Sequence, residues 1–579
     1  MADITPAFTF AFAAVALIYA LTRFVRGRRP LIHGPPCDSL ITGNLGQLFS
    51  APHGLEYHAR FLKEYGTAFE VYGLFGPPEK EIDPFILTQE KQLFIADGPA
   101  ISAILNNPDT FFETNAFRSL ARLVFGTSLF AATGPDHRKL RKTLNPIFTT
   151  RHIKDLLPVF QSIVNKLRSG LAADIRVRAS YPYEKNALSA EVDMHDWMSR
   201  TALDLIGVGG LGHPFKALEG THDPYTDAAR QLLPAIADIG IVTPFLHILM
   251  KLGPAALRRY MVNTISLRAV QTCKSVVDIM DSTANHIFGR KKDTVSRVLA
   301  DPDAKVEEEL KDVLSLMLAS NMKDPRLSDE EMIAQMSTLI LAALDTTSGT
   351  LVHILQELSI HPEAQDRLRQ EIAEAQLAQG SEDLDFDTLD GLPYLDAIVA
   401  EVLRLHPSAA FMSRTSQAPF VLPLGTPVPS SRAAGAPLVD SLPLPAGTTI
   451  YLSTQGINRD PRIWGPDADV FRPDRWLNLE GEGKEGDRES LRKARKQIPS
   501  LWNSILSFSA GPRGCIGFKF ALVEMKVVLA AIIPSFRFKP SETAIEWHLS
   551  ITQAPHVKGP KGGTRIPGLP LVVEVISDV

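Results

Sequence analysis

A cysteine near the C-terminus is surrounded by residues that expose the backbone. Cys515 stands in the run "FSAGPRGCIG", residues 508–517, which has three glycines, a proline and an arginine and leads into the helical pattern "FKFALVEMKVVLAAII". Glycine has no Cβ, so amide N–H groups can approach a sulfur closely. A helix that begins near Phe518 would place its positive N-terminal end beside an anionic sulfur. The pattern favours a free thiol or a metal ligand at Cys515.

Other cysteine chemistries lack supporting residues. The three cysteines, Cys37, Cys273 and Cys515, are too few and too scattered for the disulfide framework of a small secreted protein. A reducing compartment is therefore the simpler interpretation. No CxxC partner supports a zinc site or a c-type haem, and no papain-like or caspase-like signature surrounds Cys515.

A second candidate lies inside a long helical pattern. Ser328 and Glu331 have capping-box spacing, and a His-Pro dipeptide ends the periodicity, which predicts one helix over about 328–359. The apolar centre of this helix, "LILAALDTTSGT", is interrupted by Asp345, Thr346, Thr347 and Ser348. The three hydroxyls could simply bond to the helix's own carbonyls, with the acid facing solvent. Alternatively, this part of the helix needs polar groups for chemistry.

A third pattern predicts a charged pair. In "EVLRLHP", Glu401 and Arg404 are three residues apart and share a helix face. Most such pairs are solvated and contribute little to stability. The apolar flanks favour burial here, and a buried pair needs further hydrogen bonds. Arg475, in the later run "FRPDRW", is a possible third partner.

The elements that would position these residues are mainly helical. Short β-rich runs occur early, "GTAFEVYGLFG" and "PFILTQEK", and late, "TTIYLSTQG", "SFRFKP" and "LPLVVEVI". They predict a small sheet assembled from both ends of the chain. The proline-rich segment 421–447 and the polar segment 479–500 are interpreted as loops or insertions.

Composition and the N-terminus indicate a membrane protein with a large globular body. The 579 residues carry a net charge of −5, which gives no general attraction to nucleic acid. An uncharged run over residues 6–21 is followed at once by Arg23, Arg26, Arg28 and Arg29, the reverse of the order in a cleaved signal peptide. It predicts a retained single-pass anchor with the body on the cytosolic side. The run is short, so a buried or interfacial helix is the alternative.

Taken in order, these patterns resemble the cytochrome P450 family of haem-thiolate oxygenases from about residue 30 to the C-terminus. "AALDTT" is similar to the family's oxygen-activating helix, and "EVLR" to its Glu-x-x-Arg helix. "PDRW" is similar to its meander motif, with Asp for the usual Glu and Trp for the usual Phe. The residues that fit its cysteine loop are Phe508, Gly511, Arg513, Cys515 and Gly517.

The resemblance implies a fold and a cofactor. The fold is mainly α with a small β-sheet, as a single catalytic domain over residues 30–579 behind an anchor at residues 1–29. The cofactor is haem b, with Cys515 as the axial thiolate and Gly511, Gly517 and Phe508 close to it. An ordinary core phenylalanine at 508 would look the same in the sequence.

Other haem-binding residues are implied one at a time. Arg141, Arg414 and Arg513 match arginines that bind the haem propionates, a role suited to a guanidinium fork. His137 stands where many members have tryptophan; it could still donate a hydrogen bond to a propionate, or it could be a surface histidine.

The resemblance also assigns catalytic roles. Ala343 occupies a position that is commonly glycine, whereas Asp345 and Thr346 match the acid and alcohol that supply protons for oxygen activation. Retention of this pair favours a true monooxygenase. The alternatives are an isomerase or dehydratase of the same fold that does not activate O2, and a haem-binding sensor or scaffold.

The implied reaction is the insertion of one oxygen atom from O2 into an apolar small molecule. Electrons would come from NADPH through cytochrome P450 reductase, at the endoplasmic reticulum membrane, with membrane lipid around the anchor. The variable loops and the "DHRKLRK" form look similar to fungal members, which favours a terpenoid or another specialised metabolite as substrate. The pocket lining implied is Phe117, Leu120, Leu339, Ala342, Ala409, Ala410, Phe411 and Met412, with the turn at 551–553.

Overall fold

Helices dominate the chain, as the sequence predicts. The computed structural model describes residues 32–74, 91–179, 188–220, 224–240, 242–301, 303, 310–431, 433, 435–477, 489, 492–494, 496–559 and 565–576. The helices of the first half are α1 Leu45–Leu48, α2 Gly54–Tyr65, α3 Gly98–Leu105, α4 Asn115–Phe125, α5 Gly134–Leu144, α6 Thr150–Ala179, α7 Met194–Leu205, α8 Pro224–Asp238, α9 Leu246–Leu249, α10 Ala255–Thr264 and α11 Arg268–Ala300. Those of the second half are α12 Val313–Lys323, α13 Asp329–Ile360, α14 Pro362–Gln379, α15 Phe386–Asp390, α16 Pro393–Leu405, α17 Thr454–Asn458, α18 Pro461–Trp464, α19 Asp474–Leu477 and α20 Phe518–Ile532.

The β structure joins distant parts of the sequence, also as predicted. One sheet has the order β1-β2-β8-β5-β3 and another the order β4-β13-β9, so each contains strands from both halves of the chain. The remaining strands form the set β10-β11-β12 and the hairpin β6-β7. The strands are β1 Ala68–Tyr72, β2 Lys91–Ile95, β3 Phe111–Phe112, β4 Ser189–Asp193, β5 Phe411–Ser416, β6 Phe420–Pro429, β7 Leu438–Leu444, β8 Thr449–Ser453, β9 Phe536–Pro540, β10 Glu546–Leu549, β11 Gln553–Lys558, β12 Arg565–Pro567 and β13 Pro570–Val575.

The predicted long helix is α13, which lies at the centre of the core. Ser328 is its N-cap, and Ser328 and Glu331 form the predicted capping box in both directions. The helix packs against α7, α11, α16 and α20. Among the described helices it is the one long and apolar enough to cross a membrane, but 61% of its apolar window is buried inside the protein. We therefore interpret α13 as a core helix.

The predicted charged pair is a fully buried network. Arg404 donates to both carboxylate oxygens of Glu401, at 2.8 Å each, and Arg475 Nε donates to Oε1 at 3.0 Å. Trp476 Nε1 and the backbone N–H of Arg472 also donate to this carboxylate. Burial opposes its ionisation, yet the two guanidinium groups hold the pKa of Glu401 below its usual value. The network joins α16 to the segment that contains α18 and α19.

The prediction of an irregular loop at 421–447 is wrong, because this segment forms the β6-β7 hairpin. Leu422 pairs with Leu442, and both side chains are buried. Asp97 fixes one strand from outside the hairpin, since its carboxylate accepts hydrogen bonds from the N–H groups of Gly425 and Thr426 at 2.8 and 2.9 Å. In a two-stranded hairpin the outward-facing positions need no N–H donor, so proline is tolerated there.

Three predictions fall wholly or mostly outside the described residues. The first is the N-terminal anchor at 1–29. The second is the strand predicted from "PFILTQEK", residues 84–91, of which only Lys91 belongs to the described residues. Most of the polar segment 479–500 is the third.

Candidate active site

The cysteine loop needs glycine for close packing. Gly511 has a φ of +66°, and a Cβ at this position would lie 2.6 Å from the carbonyl oxygen of Leu105. The backbone N–H of Cys515 donates to the Phe508 carbonyl at 2.9 Å, which closes the loop. Gly517 is different, because a Cβ there would meet no described atom within 4 Å. Gly511 is therefore required by the fold, whereas Gly517 borders open space beside the cysteine.

Cys515 lies two residues before Gly517, next to the start of α20. Its side chain is solvent-accessible, while burial is the largest influence on its thiol and raises the pKa. A hydrogen bond from the Gly517 backbone and the charge of Arg141 act in the opposite direction. The sulfur also stands beside the N-terminus of α20, whose dipole favours an anion. A bound metal cation would remove the thiol proton, so this sulfur suits ligation.

The predicted propionate-binding arginines come from three separate elements. Arg141 lies on α5 and its Nη1 donates to the Gly514 carbonyl at 2.5 Å. Arg513, in the cysteine loop, donates from Nε to Glu113 Oε1 at 2.6 Å and from Nη1 to the Ala132 carbonyl at 3.1 Å. Arg414, on β5, approaches the same Glu113 oxygen at 3.6 Å. The structure thus brings Arg414 and Arg513 together at Glu113 and places Arg141 beside the cysteine loop.

His137 is buried, so its interpretation as a surface histidine is wrong. Desolvation, followed by the charge of Arg513, lowers its pKa to about 4. The imidazole is therefore neutral near pH 7 and keeps one N–H group that can donate. The neighbouring Arg138 points away from the site and forms an exposed ion pair with Asp109 at 2.7 Å.

The polar break of α13 is only partly explained by hydrogen bonds within the helix. Thr346 and Ser348 donate to the carbonyls four residues earlier, at 2.6 and 2.7 Å. Asp345, however, does not face bulk solvent: it is half-buried, and desolvation raises its pKa to about 7. Thr347 faces another direction and donates to the buried Glu524 on α20 at 3.4 Å. The alternative of an acid exposed to solvent is therefore wrong for Asp345.

Two further hydroxyls approach Thr346. Ser408 donates to the Thr346 carbonyl at 3.1 Å, and its Oγ lies 3.0 Å from that of Thr350. Sequence reasoning did not single out Thr350 as a site residue. A hydroxyl one helical turn after Thr346 was the available signal. Glu113 followed no motif and could not have been found from the sequence.

The predicted pocket lining is divided by strand alternation. Along β5, Met412 packs on the main core, but Phe411 belongs to a separate aromatic cluster with Phe49 and Tyr451. Neighbouring residues of a strand point to opposite faces, so they cannot line the same pocket. The turn at 551–553 does reach the site, since Gln553 donates to the Pro407 carbonyl at 2.9 Å.

The residues around Cys515 fit a haem group. Cys515 is accessible, a side chain at Gly517 would meet no described atom within 4 Å, and three arginines that can bind carboxylates lie on the surrounding elements. Glu113 Oε2 is buried without a hydrogen-bond partner among the described residues. A carboxylate oxygen only accepts hydrogen bonds, so this atom leaves a place for one further donor beside the two arginines.

Comparisons with known proteins agree with the geometry. The family model described as "Cytochrome P450" matches residues 82–555. The chain is 34% identical over 563 residues to cytochrome P450 monooxygenase 91 of Postia placenta, covering 96% of this chain and 95% of the relative. It is 35% identical over 566 residues to cytochrome P450 monooxygenase 81 of the same fungus, which covers 96% of this chain and 95% of that relative. It is 33% identical over 562 residues to ganoderic acid synthetase CYP5150L8 of Ganoderma lucidum, with 95% of both chains covered.

Proposed function

The chain belongs to the cytochrome P450 family, and from this premise we propose that its haem iron is held by Cys515 and that its substrate is an apolar small molecule. As a cytochrome P450 monooxygenase it binds haem b through an axial cysteine thiolate and uses O2, a redox partner and an organic substrate. The observation that carries the assignment is the accessible Cys515 sulfur at the N-terminus of α20. Bound haem supplies the oxygen activation, and thiolate donation assists O–O cleavage.

The surrounding residues would orient the macrocycle. Arg141, Arg414 and Arg513 would bind the propionates by charge-assisted hydrogen bonds, and neutral His137 would donate one more. Phe508 is buried next to Phe518, with ring centroids 6.0 Å apart, and would pack beside the ring near the thiolate. Gly511 fixes the loop and Gly517 leaves room for the cofactor.

Asp345 and Thr346 would supply protons for the oxygen chemistry of the haem. With a pKa of about 7, Asp345 is both a donor and an acceptor near neutral pH. The Thr346 hydroxyl donates a hydrogen bond to the Ala342 carbonyl, so its oxygen can accept a hydrogen bond from a water molecule. The pair can therefore order water and pass it protons.

The substrate proposed is a terpenoid or another specialised metabolite. The lining that we propose is apolar: Leu120 and Ala410 are buried, and Leu339 and Met412 pack against the core. An apolar pocket selects by shape, which suits a rigid hydrocarbon skeleton. The similarity to a relative named as a ganoderic acid synthetase supports this substrate class.

The electron donor and location complete the proposal. NADPH would deliver electrons through cytochrome P450 reductase. Residues 1–29 would anchor the protein in the endoplasmic reticulum membrane, with residues 30–579 as a single cytosolic catalytic domain. The run of uncharged residues followed by four arginines supports this topology.

The test of the iron ligand is the absorption of the reduced carbon monoxide complex. Cys515→Ala should lose the band characteristic of thiolate ligation. Cys37→Ala and Cys273→Ala are matched controls and should keep it, because Cys37 donates to the Ser39 carbonyl and Cys273 is buried in a separate cluster. A thiolate band in Cys515→Ala would contradict the assignment.

A second measurement tests the reaction class. Candidate terpenoids are incubated with the purified protein and reductase, and NADPH consumption and oxygenated products are measured. Substrate-dependent NADPH oxidation with product is expected. Conversion of a substrate without NADPH would instead indicate an isomerase or dehydratase, and binding without conversion would indicate a sensor or scaffold.

A further inference from the structure

We propose that Glu113 is a further residue of the haem site, which positions Arg513 and Arg414 and holds down the reduction potential of the bound iron. This inference rests on the haem site proposed above. A carboxylate between two propionate-binding arginines is unexpected, because it competes with the propionates for the same donors. The contacts of Glu113 indicate two compensating effects: it orients the arginines, and it offsets positive charge near the haem.

Three elements converge on the Glu113 carboxylate. Glu113 directly follows β3, and β3 pairs with β5 through Phe111 with Ser416 and Phe112 with Thr415. This pairing sets Glu113 close to Arg414, which lies two residues before Ser416 in β5. The cysteine loop supplies Arg513, whose Nε donates to Glu113 Oε1 at 2.6 Å. One carboxylate therefore fixes a sheet edge relative to the loop that holds Cys515.

Glu113 acts on specific atoms of the two guanidinium groups. The Glu113 carboxylate accepts a hydrogen bond from Arg513 Nε, and the Ala132 carbonyl accepts one from Arg513 Nη1. These two bonds fix the plane of the Arg513 fork, and a fixed fork loses less freedom when it binds a carboxylate. Arg414 is fixed similarly, by the Ser413 carbonyl at 2.8 Å and by Glu113 at 3.6 Å. These three charged groups are largely buried, so their charges act strongly on one another.

The site holds more guanidinium groups than two propionates can neutralise. Arg414 and Arg513 approach Glu113, and Arg141 donates to the cysteine loop. Arg118 lies near them, since burial lowers its pKa most and the charges of Glu113 and Arg513 also act on it. Four positive charges would then face two propionates and the Glu113 carboxylate. Without Glu113, one more positive charge would be uncompensated beside the haem edge.

An uncompensated positive charge changes the iron chemistry in a predictable direction. Reduction adds an electron to the haem, and a nearby positive charge favours the reduced state. Replacing Glu113 by a neutral residue should therefore raise the reduction potential. A glutamate that merely tied two elements together would affect stability but would not affect the potential in this way.

The experiment compares midpoint potentials of purified haem-loaded proteins by dye-mediated titration. Glu113→Gln keeps the shape and an acceptor for Arg513 but removes the charge, and its potential should shift upward. Glu113→Asp keeps the charge and should stay closer to the unsubstituted protein. Asp109→Asn is the matched control, because it removes a nearby carboxylate that forms an exposed ion pair with Arg138, and its potential should not move.

Each result decides the question. An unshifted potential in Glu113→Gln, or an equal shift in Asp109→Asn, would overturn the proposal. If Glu113→Gln does not load with haem while Glu113→Asp does, the charge positions the arginines, and this result supports the positioning role but not the effect on the potential. If neither variant loads, Glu113 is only structural and the proposal fails.

The carbon monoxide spectrum of the unsubstituted protein separates the two claims. If the unsubstituted protein shows no thiolate band, the proposed haem site itself is contradicted. A normal band together with an unshifted Glu113→Gln potential would contradict the role of Glu113 alone.

Discussion

Thr346 and Ser348 are two hydroxyls on one helix with nearly the same local bonding. Each donates to the carbonyl four residues earlier, and they differ mainly in burial: Ser348 is buried, whereas Thr346 is half-buried. Removing either hydroxyl therefore costs a similar intrahelical bond. The proposed proton delivery needs an accessible hydroxyl next to Asp345, so it concerns Thr346 alone. The pair allows function to be separated from helix stability.

Thr346→Ala is expected to keep haem and substrate binding but to lose coupling. Without the hydroxyl, protons arrive too slowly, and electrons from NADPH are released as hydrogen peroxide. Since general acid–base catalysis typically contributes 100-fold or more, product formation should fall by roughly 10-fold at least. Measuring NADPH consumed, peroxide released and product formed in one assay tests this. Ser348→Ala should remain coupled, and equal coupling in both variants would exclude Thr346 from proton delivery.

Asp345 should make stability depend on pH. Its folded pKa is raised to about 7 by desolvation, so the acid is neutral in the folded protein but ionised in the unfolded chain between about pH 4 and pH 7. This difference lowers the free energy of unfolding as pH rises through that window.

The test of this titration uses Asp345→Asn, which removes the ionisable group. The substitution should stabilise the protein more at pH 8 than at pH 5, by roughly 2 kcal/mol after allowance for partial exposure. Urea unfolding at the two pH values measures the difference. An equal effect at both pH values would show that Asp345 does not titrate in this range.

At the scale of elements, the buried Glu401 network decides how firmly the segment of α18 and α19 is held against α16. Arg404 and Arg475 share one carboxylate, and both guanidinium groups also donate to backbone carbonyls of residues 467–470. No water is needed to satisfy this carboxylate, because four donors reach it. Removal of the carboxylate would therefore leave two buried positive charges.

Glu401→Ala should lower the free energy of unfolding by roughly 3 to 5 kcal/mol, which is a large part of the 5 to 15 kcal/mol of a typical domain. Folded, haem-loaded protein should fall accordingly. Asp474→Ala is the control. Asp474 lies in the same segment as Arg475 but forms an exposed ion pair with Arg367 of α14, so its removal should cost about 0 to 1 kcal/mol. Denaturant unfolding compares them, and similar losses in the two variants would contradict the importance of the network.

Local signals explain which elements could be predicted. The limits of α13 follow from the capping box at Ser328, because a helix start depends on neighbouring residues. The β6-β7 hairpin was missed because its stability comes from Asp97, more than 300 positions away in the sequence. Glu113 was missed for the same reason, since its partners Arg414 and Arg513 lie far along the chain. The cysteine loop was predictable because its function demands residues that are adjacent in sequence.

At the scale of the whole molecule, the family match begins at residue 82, well after the proposed anchor at residues 1–29. The described part of the chain before that point already exposes apolar side chains near its start, among them Leu40, Ile41 and Phe49. Apolar side chains at such a position can add peripheral contact with lipid. Membrane association would then have a strong component from the anchor and a weak one from the catalytic domain.

Deleting residues 1–29 should therefore change how the protein binds membranes without changing its haem site. The truncated protein should be released by carbonate extraction, because a transmembrane helix resists this treatment and peripheral contacts do not. Its carbon monoxide spectrum should match that of the full chain, since Cys515 and its arginines lie far from the deleted segment in sequence. Replacing Leu40 and Ile41 by serine in the truncated protein should further reduce binding to lipid vesicles. A truncated protein that still resists carbonate extraction would place the anchor elsewhere in the chain.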